Sequence, residues 1–174
     1  MKNIVAFGGS NSKKSINKDL AAHVAQQFEN TEVLDLNDFP LPIYSIDTEL
    51  EKGIPENANV FLNKIKNADG IILSLAEHNG AYSTAFKNLF DWMSRIDGKL
   101  WSNVPMLLMA TSPGARGGAT VLEIAKGRFP YMGGNIVADL SFPSFGQNFV
   151  NNEIVNDELK NAVASAVLAL KSEM

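Results

Sequence analysis

The sequence has no cysteine, which excludes disulfide bonds, thiolate catalysis and cysteine metal sites. No stretch approaches the roughly 20 apolar residues of a membrane-spanning helix. Gly8 and Ser10 end the N-terminal apolar run too early for the core of a signal peptide. Basic residues are also too few for a nucleic-acid binder, since 15 Lys and Arg face 19 Asp and Glu for a net charge of −4. We therefore expect a cytoplasmic protein that binds neither membrane nor nucleic acid.

What is present is a regular alternation of strand and helix patterns within 174 residues, a length that predicts one domain over residues 1–174. Short apolar runs predict strands at residues 4–7, 32–36, 70–75, 104–110 and 135–138. Helices are predicted from about residue 15, over 58–67, 83–96 and 119–128, and from Asn156 or Asp157 to about 172. Residues 47–57 and 139–152 are predicted as loops, and residues 76–80 as a turn.

Alternating strands and helices predict an α/β fold of three layers, a parallel sheet with helices on both faces. Five parallel strands suit the flavodoxin-like order 2-1-3-4-5. Ligands of such sheets bind beyond the carboxyl ends of the strands, where the strand order reverses, here between strands one and three. The functional loops are therefore expected at residues 8–17, 76–83 and 111–118, which are also polar and contain glycine.

The first loop offers hydroxyl and amide groups from Ser10, Ser12, Ser15 and Asn17, and positive charge from Lys13-Lys14. It leads into a helix, whose first backbone N–H groups lack internal partners and favour an anion. We expect a phosphate here, although an ordinary turn with Ser15 as N-cap fits the same residues. Neither GxxxxGK[ST] nor GxGxxG is present.

A hydrolase is a weaker interpretation of the same loop. Residues 8–12 (GGSNS) differ from the GxSxG nucleophile elbow at the last position. A serine nucleophile also needs a base, and the two histidines lie elsewhere: His23 on the first helix and His78 in the second loop. A Ser-His-Asp hydrolase is therefore disfavoured.

The second loop combines a planar ring and a carboxylate with flexible backbone, in Glu77, His78, Asn79 and Gly80. Such a loop can form a wall for a flat heterocycle, or it can be a surface turn with an incidental histidine. The third loop, residues 112–118, is glycine-rich and allows close approach to a ligand. Its Arg116 can bind a carboxylate, a flavin carbonyl or a nucleotide phosphate, or be a solvated arginine. No metal site is expected.

The next helix is richer in large apolar residues than one buried face needs. We expect most of these residues to pack in the core and some, Trp92 especially, to contact a second subunit. Together these features resemble the NADPH-dependent FMN reductase family, the flavodoxin-like quinone, azo-dye and chromate reductases. The matching motifs are Gly9-Ser10, Ser15-Ile16-Asn17 and Leu20-Ala21; Leu41-Pro42-Ile43-Tyr44; Glu77-His78-Asn79-Gly80 with residues 86–92 (FKNLFDW); and residues 114–118. Many members have Arg at the position of Ser12, Pro at that of Ala76 and Tyr at that of His78.

The resemblance implies an FMN cofactor and NADPH or NADH as co-substrate. The implied cofactor-binding residues are Ser10, Ser12, Ser15, Ile16 and Asn17 at the phosphate, Glu77, His78, Asn79 and Gly80 along the ring, and Ser112, Gly114 and Gly117 at its other edge. A quinone, azo compound, oxidised metal or free flavin is the implied small-molecule electron acceptor. No catalytic side chain is required, because the flavin carries the chemistry. Members are commonly homodimers, and some are homotetramers.

Two other functions fit the same fold. A flavodoxin-type electron carrier binds FMN without turning over NAD(P)H. A flavodoxin-like domain without a cofactor can serve as a binding module. A receiver domain is disfavoured, because no acidic cluster follows the first strand.

Overall fold

The computed structural model describes residues 2–174. The strands are β1 (Ile4–Gly9), β2 (Thr31–Leu34), β3 (Gly70–His78), β4 (Ala81–Tyr82), β5 (Pro105–Thr111), β6 (Asn135–Phe142), β7 (Phe149–Val150) and β8 (Glu153–Ile154). The helices are α1 (Ile16–Ala25), α2 (Ile46–Lys52), α3 (Glu56–Lys66), α4 (Thr84–Ile96), α5 (Ala119–Arg128), α6 (Phe145–Asn148) and α7 (Asp157–Glu173). Short 3₁₀ turns lie at Leu36–Asp38 and Phe129–Met132.

Five parallel strands form the main sheet in the order β2-β1-β3-β5-β6. This order is the predicted 2-1-3-4-5 once the antiparallel β4, which pairs only with the end of β3, is left out of the count. The flavodoxin-like α/β fold is thus confirmed.

Helices cover both faces of this sheet, and the residues of β1 alternate between the two cores. Val5 and Phe7 belong to the core that also contains residues of α3, α4 and α5. Ile4 and Ala6 belong to the opposite core, which α1 and α7 complete. Because both faces are buried, the central strands are almost continuously apolar, as their sequences predict. Among residues 2–174, no helix is both long enough and apolar enough to cross a membrane.

The prediction of a loop over residues 47–57 is wrong, because α2 and the start of α3 lie there. Ser45 is the N-cap of α2, and its Oγ accepts a hydrogen bond from the backbone N–H of Thr48 at 3.0 Å. None of the residues of α2 is buried, so packing against the core imposes no periodic pattern on its sequence.

The prediction of a turn over residues 76–80 is only partly right. Residues 76–78 continue β3, which pairs with β4 as a hairpin, and only Asn79 and Gly80 form the turn. Their φ angles of 52° and 74° are those of a two-residue type I′ turn, which Asn-Gly favours. The dipeptide was therefore a hairpin signal.

The predicted loop at residues 139–152 is also wrong. There β6 continues to Phe142, and α6, β7 and the start of a small hairpin follow. Strand β2, predicted to reach residue 36, ends at Leu34 because a 3₁₀ turn begins at Leu36. Of the two caps proposed for the last helix, Asn156 is the one used; its Oδ1 accepts from the N–H of Leu159 at 3.0 Å.

The prediction that Trp92 contacts a second subunit is wrong, because the residue lies inside its own chain. Its side chain is fully buried, and its indole Nε1 donates to the carbonyl of Pro42 at 2.8 Å. The ring also packs edge-on against Tyr44 at a centroid distance of 5.0 Å. Trp92 therefore anchors the connection after β2 onto α4.

Candidate functional site

A cleft of about 280 Å³ opens at the carboxyl ends of β1, β3 and β5, where the strand order reverses. It lies where ligands of doubly wound sheets bind. Its lining residues are Ser10, Ser12, Lys14, Ser15, Ile16, Asn17, Ala76, Glu77, His78, Thr111, Ser112 and Pro113. The structure thus brings together most of the predicted site residues from all three loops.

The loop after β1 is held by short-range hydrogen bonds to its own serines. The N–H of Ser12 donates to Ser10 Oγ at 3.1 Å, and the N–H of Lys14 donates to Ser12 Oγ at 3.3 Å. Both hydroxyl oxygens act as acceptors in these bonds, so their protons remain available to donate to a bound anion. The loop is therefore shaped in advance to present hydroxyl donors.

Helix α1 begins directly at this cleft. Ser15 caps it, with its Oγ accepting from the N–H of Lys18 at 3.1 Å. Within residues 2–174, the backbone N–H groups of Ser15, Ile16 and Asn17 have no hydrogen-bond partner. Unpaired N–H groups and the positive end of the helix dipole make this terminus an anion site.

Gly8 lets α1 approach β1 closely enough to form this terminus. A Cβ atom at Gly8 would lie 2.8 Å from the Cα of Lys18 and 2.9 Å from the carbonyl carbon of Asn17, both backbone atoms. Neither can move without shifting the helix. The glycine is therefore required by the packing of the loop.

Asn17 has a structural role that the sequence did not reveal. Its Oδ1 accepts from Ser74 Oγ at 2.7 Å and from the N–H of Thr111 at 3.1 Å, and its Nδ2 donates to the carbonyl of Thr111 at 3.2 Å. All three residues are buried. The Asn17 side chain thus joins α1 to β3 and β5, and its backbone N–H is the group that points to the anion site.

The hairpin of β3 and β4 forms the second wall. Glu77 and His78 line the cleft, whereas Asn79 and Gly80 form the tip of the hairpin outside the lining. The carboxylate of Glu77 reaches the first turn of α5, where its Oε2 accepts from the N–H of Val121 at 3.0 Å. The negative charge of Glu77 thus lies at the positive end of α5.

The third loop contributes Ser112 to the lining, while Gly114 and Gly117 lie outside it. Gly117 has a φ of 55°, and a Cβ there would lie 2.6 Å from Ser141 Oγ. The glycine is thus explained by packing against the end of β6. Arg116 is turned to its own helix, with Nη2 donating to Thr120 Oγ1 at 2.9 Å.

Of the two lysines in the first loop, Lys14 lines the cleft and Lys13 does not. Lys18, one turn further, forms an ion pair with Asp35. Burial raises the pKa of Asp35, but hydrogen bonds from Lys18 and Asn37 outweigh it and hold the pKa below its usual value of 3.8. Lys14 is therefore the lysine placed to attract an anion in the cleft.

His78 separates this cleft from a second one of about 460 Å³. The second cleft is lined by Asn11, Leu36, Asn37, Phe39, Pro40, Leu41, Ile43, His78, Thr84, Ala85, Asn88 and Leu89. This lining contains no Asp, Glu, Lys or Arg. An uncharged, flat molecule suits such a surface better than an ion does.

Three contributors to the site lie within the predicted loops 76–83 and 111–118 but are not among the binding residues named from the sequence. Thr111 and Pro113 line the cleft, and Ser83 fixes the hairpin, with its Oγ donating to the carbonyl of Gly9 at 2.7 Å and accepting from the N–H of Phe86 at 3.1 Å. A signal existed for Thr111, since it is a polar residue at the carboxyl end of a buried strand. Among residues 2–174, no three His, Asp or Glu side chains are grouped to hold a metal ion.

The sequence is similar to those of known reductases. The family model described as NADPH-dependent FMN reductase matches residues 2–147. A 2-hydroxy-1,4-benzoquinone reductase of a Burkholderia species is 33% identical over 131 residues, which are 74% of this chain and 70% of that protein. A quinone reductase of Escherichia coli is 32% identical over 79 residues, 45% of this chain and 42% of that protein.

Among solved structures, the fold is similar to that of the flavoenzyme NAD(P)H:(acceptor) oxidoreductase FerB of Paracoccus denitrificans. The two superimpose with a TM-score of 0.74 over 99% of each chain, at 23% identity. At this identity the similarity concerns the fold.

Proposed function

Because this chain belongs to the NADPH-dependent FMN reductase family, we propose that it binds FMN and acts as an NAD(P)H oxidoreductase on a small electron acceptor. The observation that carries the proposal is the cleft between the start of α1 and the β3–β4 hairpin. It joins an anion site at one end to a wall made by Glu77 and His78 at the other. A phosphate attached to a flat heterocycle has this distribution of chemical groups.

The residues present fit FMN by their chemistry. The phosphate is expected at the unpaired N–H groups of Ser15, Ile16 and Asn17, with the hydroxyls of Ser10 and Ser12 and the ammonium of Lys14. Lys14 thus supplies the charge that many relatives have as Arg at the position of Ser12. We place the flavin ring along Glu77, His78 and Ser112, and propose the hairpin tip and the glycines at 114 and 117 as its outer neighbours.

When bound, the flavin supplies the redox chemistry, taking a hydride from NADPH or NADH and passing electrons to the acceptor. The protein therefore needs no general acid or base, and its tasks are to hold the phosphate, cover one face of the ring and leave the other open. We propose that the acceptor is a quinone or a similar neutral aromatic compound, because the adjoining cleft carries no charged side chain. The names of the curated relatives, which include quinone reductases, support this class.

Lys14 and Lys13 provide a matched pair for testing the phosphate site. They are adjacent and chemically identical, but only Lys14 lines the cleft. Lys14→Gln should weaken FMN binding about tenfold, since hydrogen bonds to charged groups contribute about 1.5–3 kcal/mol. Lys13→Gln should bind FMN like the wild type. Flavin fluorescence quenching measures both affinities.

Riboflavin, which lacks the phosphate, is the ligand control for this test. Its affinity should be the same in Lys14→Gln and in the wild type. If Lys14→Gln weakens riboflavin and FMN equally, or if the two lysine variants behave alike, the phosphate does not lie at the start of α1.

The alternative of a flavodoxin-type carrier is tested by steady-state oxidation of NADPH with a quinone. Turnover supports the reductase, and FMN binding without turnover supports the carrier. The neutral cleft beside His78 favours the reductase, because a carrier needs a docking face and not a second small-molecule pocket.

We further propose that the chain forms a homodimer, or a homotetramer built from it, and works in the cytoplasm, where NADPH and NADH are available. The exposed apolar residues Ile43, Ile46 and Leu50 support association. They lie on and before α2, which buries none of its own residues.

A further inference from the structure

The two walls of the cleft are each held firmly by their own contacts. The hairpin has its tight turn at Asn79 and Gly80 and its anchor at Ser83. The third loop is tied to the end of β6 and to the segment after it. The hydroxyl Oγ of Ser141, in β6, donates to the carbonyl of Gly117 at 3.1 Å, and the N–H of Ser144, after β6, donates to the carbonyl of Gly114 at 2.9 Å. Each wall is therefore rigid, and the width of the cleft depends on what joins them.

The strands beneath the two walls part at the cleft. The pairing of β3 with β5 ends at Ala76 and Thr111, so beyond these residues the sheet no longer sets the separation. Among residues 2–174, one side-chain hydrogen bond joins residues 77–82 to residues 112–122, from the N–H of Val121 to Glu77 Oε2 at 3.0 Å. It joins the walls just where the sheet stops.

The start of α5 makes this bond a strong one. Its N-cap position is Gly118, which has no side chain and offers no capping oxygen. The Glu77 carboxylate takes over that role from another element, and it carries the charge that a helix N-terminus favours. Glu77 also fills the place where an anion would bind at α5, leaving the start of α1 as the terminus open to a phosphate.

We propose that Glu77 is a positioning residue, whose carboxylate sets the width of the flavin cleft by capping α5. It acts through Val121 and the first turn of α5. This inference rests on the proposed function, since it assigns the cleft to a flavin. It assigns the carboxylate of Glu77 to the bond that spaces the ring's two walls, while the residue itself lines the cleft.

The test compares Glu77→Ala with Glu77→Gln in the full chain. Alanine removes the acceptor, whereas glutamine keeps an oxygen at the same place. In Glu77→Ala, without flavin, the amides of Val121 and Leu122 should exchange with solvent about tenfold faster, the size of a lost helix cap. In Glu77→Gln they should stay within about threefold of the wild type, because a neutral hydrogen bond replaces a charged one.

Flavin affinity gives the second readout. Glu77→Ala should weaken FMN and riboflavin by the same factor, about tenfold, because a loose cleft affects the ring and not the phosphate. Asn156→Ala is the matched control. Asn156 also caps the N-terminus of a helix, but that helix is α7 and the residue does not line the cleft. It should destabilise α7 and leave both α5 exchange and flavin affinity unchanged.

Two results overturn the proposal. Unchanged exchange at α5 in Glu77→Ala shows that the cap does not hold the wall. A loss of flavin affinity in Glu77→Gln as large as in Glu77→Ala shows that the charge acts on the ring directly. Both results can be told apart from a failure of the proposed function. In that case the wild type itself binds no FMN, and amide exchange still measures whether Glu77 caps α5.

Discussion

Tyr82 carries a hydroxyl group that is buried and has no hydrogen-bond partner among residues 2–174. Its ring stacks with Phe129 at a centroid distance of 6.3 Å and also packs against Phe86 and Phe90. Burial among these rings raises the pKa of Tyr82 to about 12. The hydroxyl is thus a source of instability beside the candidate site.

Removing this hydroxyl should stabilise the fold. A buried donor without a partner costs about 1–3 kcal/mol, so Tyr82→Phe should raise the free energy of unfolding by about 1 kcal/mol. The gain should grow at alkaline pH. The pKa of Tyr82 is higher in the folded protein than the usual 10.0, so the unfolded chain loses its proton first and the wild type is destabilised as the pH rises above that value.

Urea unfolding from neutral pH to about pH 11 measures this difference. Tyr131→Phe is the matched control, because Tyr131 is 72% exposed and its hydroxyl is solvated. If Tyr82→Phe is less stable than the wild type, the hydroxyl has a partner in solution, and the present account of Tyr82 is wrong.

At the residue scale, the sequence reveals contacts between near neighbours but not between distant ones. Ser10, Ser12 and Ser15 were predictable as a group because they share one loop between a strand and a helix. The partners of Asn17 were not, since Ser74 and Thr111 are 57 and 94 positions away in the chain. Asn17 was therefore read only as a ligand-binding residue, and its role in joining three elements came from the structure.

At the scale of the element, α2 is unusual because it buries none of its own residues, and polar contacts of Glu49 help to attach it. Glu49 Oε2 accepts from Arg95 Nε at 2.8 Å and from the Tyr44 hydroxyl at 3.1 Å. The hydrogen bond from Arg95 holds the pKa of Glu49 below its usual value of 4.5. The attachment should therefore depend on pH.

We expect α2 to loosen in acid. Because the pKa of Glu49 is lowered in the folded protein, its contribution to stability is complete above pH 4.5 and is lost as the pH falls below that value. In Glu49→Gln, the free energy of unfolding should fall less steeply between about pH 5 and pH 3 than in the wild type. Glu51→Gln alters a neighbouring acid of the same helix that has no hydrogen-bond partner within residues 2–174, and it should keep the wild-type slope.

Equal slopes in the wild type and Glu49→Gln contradict this account of α2.

The same helix shows why some elements escaped prediction. Long buried elements such as α4 and β3 are predictable, because burial gives α4 a helical period and β3 a nearly continuous apolar run. Helix α2 buries no residue, and β4 has only two residues, too few to show alternation, so only Asn79-Gly80 marks the hairpin.

At the scale of the whole molecule, the topology was predictable because few arrangements satisfy alternating strands and helices with right-handed connections. The position of the site followed from the reversal in strand order. The strand order does not determine which side chains of the loops line the cleft, because that depends on the packing of each loop. Gly117 illustrates this, since it packs against Ser141 at the end of β6 and lies outside the lining of the cleft.

The exposed apolar residues Ile43, Ile46 and Leu50 predict which surface of the chain contacts a second copy. Leu50 is 79% exposed and lies on α2 together with the exposed Ile46, whereas Leu168, 67% exposed, lies on α7. Leu50→Glu should shift the proposed dimer to monomer, because a carboxylate cannot be buried in an apolar interface without a partner. Leu168→Glu should leave the assembly unchanged.

Sedimentation velocity on both variants measures the assembly. A monomeric wild type means that this interface does not exist. A dimer that Leu50→Glu does not weaken means that the interface lies elsewhere. Either result leaves the cofactor site unaffected, since none of these residues lines the first cleft.

The measurement that tests the central claim most directly is an absorption spectrum of the purified chain, repeated after adding FMN and then NADPH without oxygen. We predict protein-bound flavin bands near ~450 nm, the absorption of the cofactor itself, that bleach on addition of NADPH. Bands that persist with both NADPH and NADH contradict the reductase and support an electron carrier. The absence of protein-bound flavin, even with FMN in excess, contradicts the assignment of the cleft to FMN.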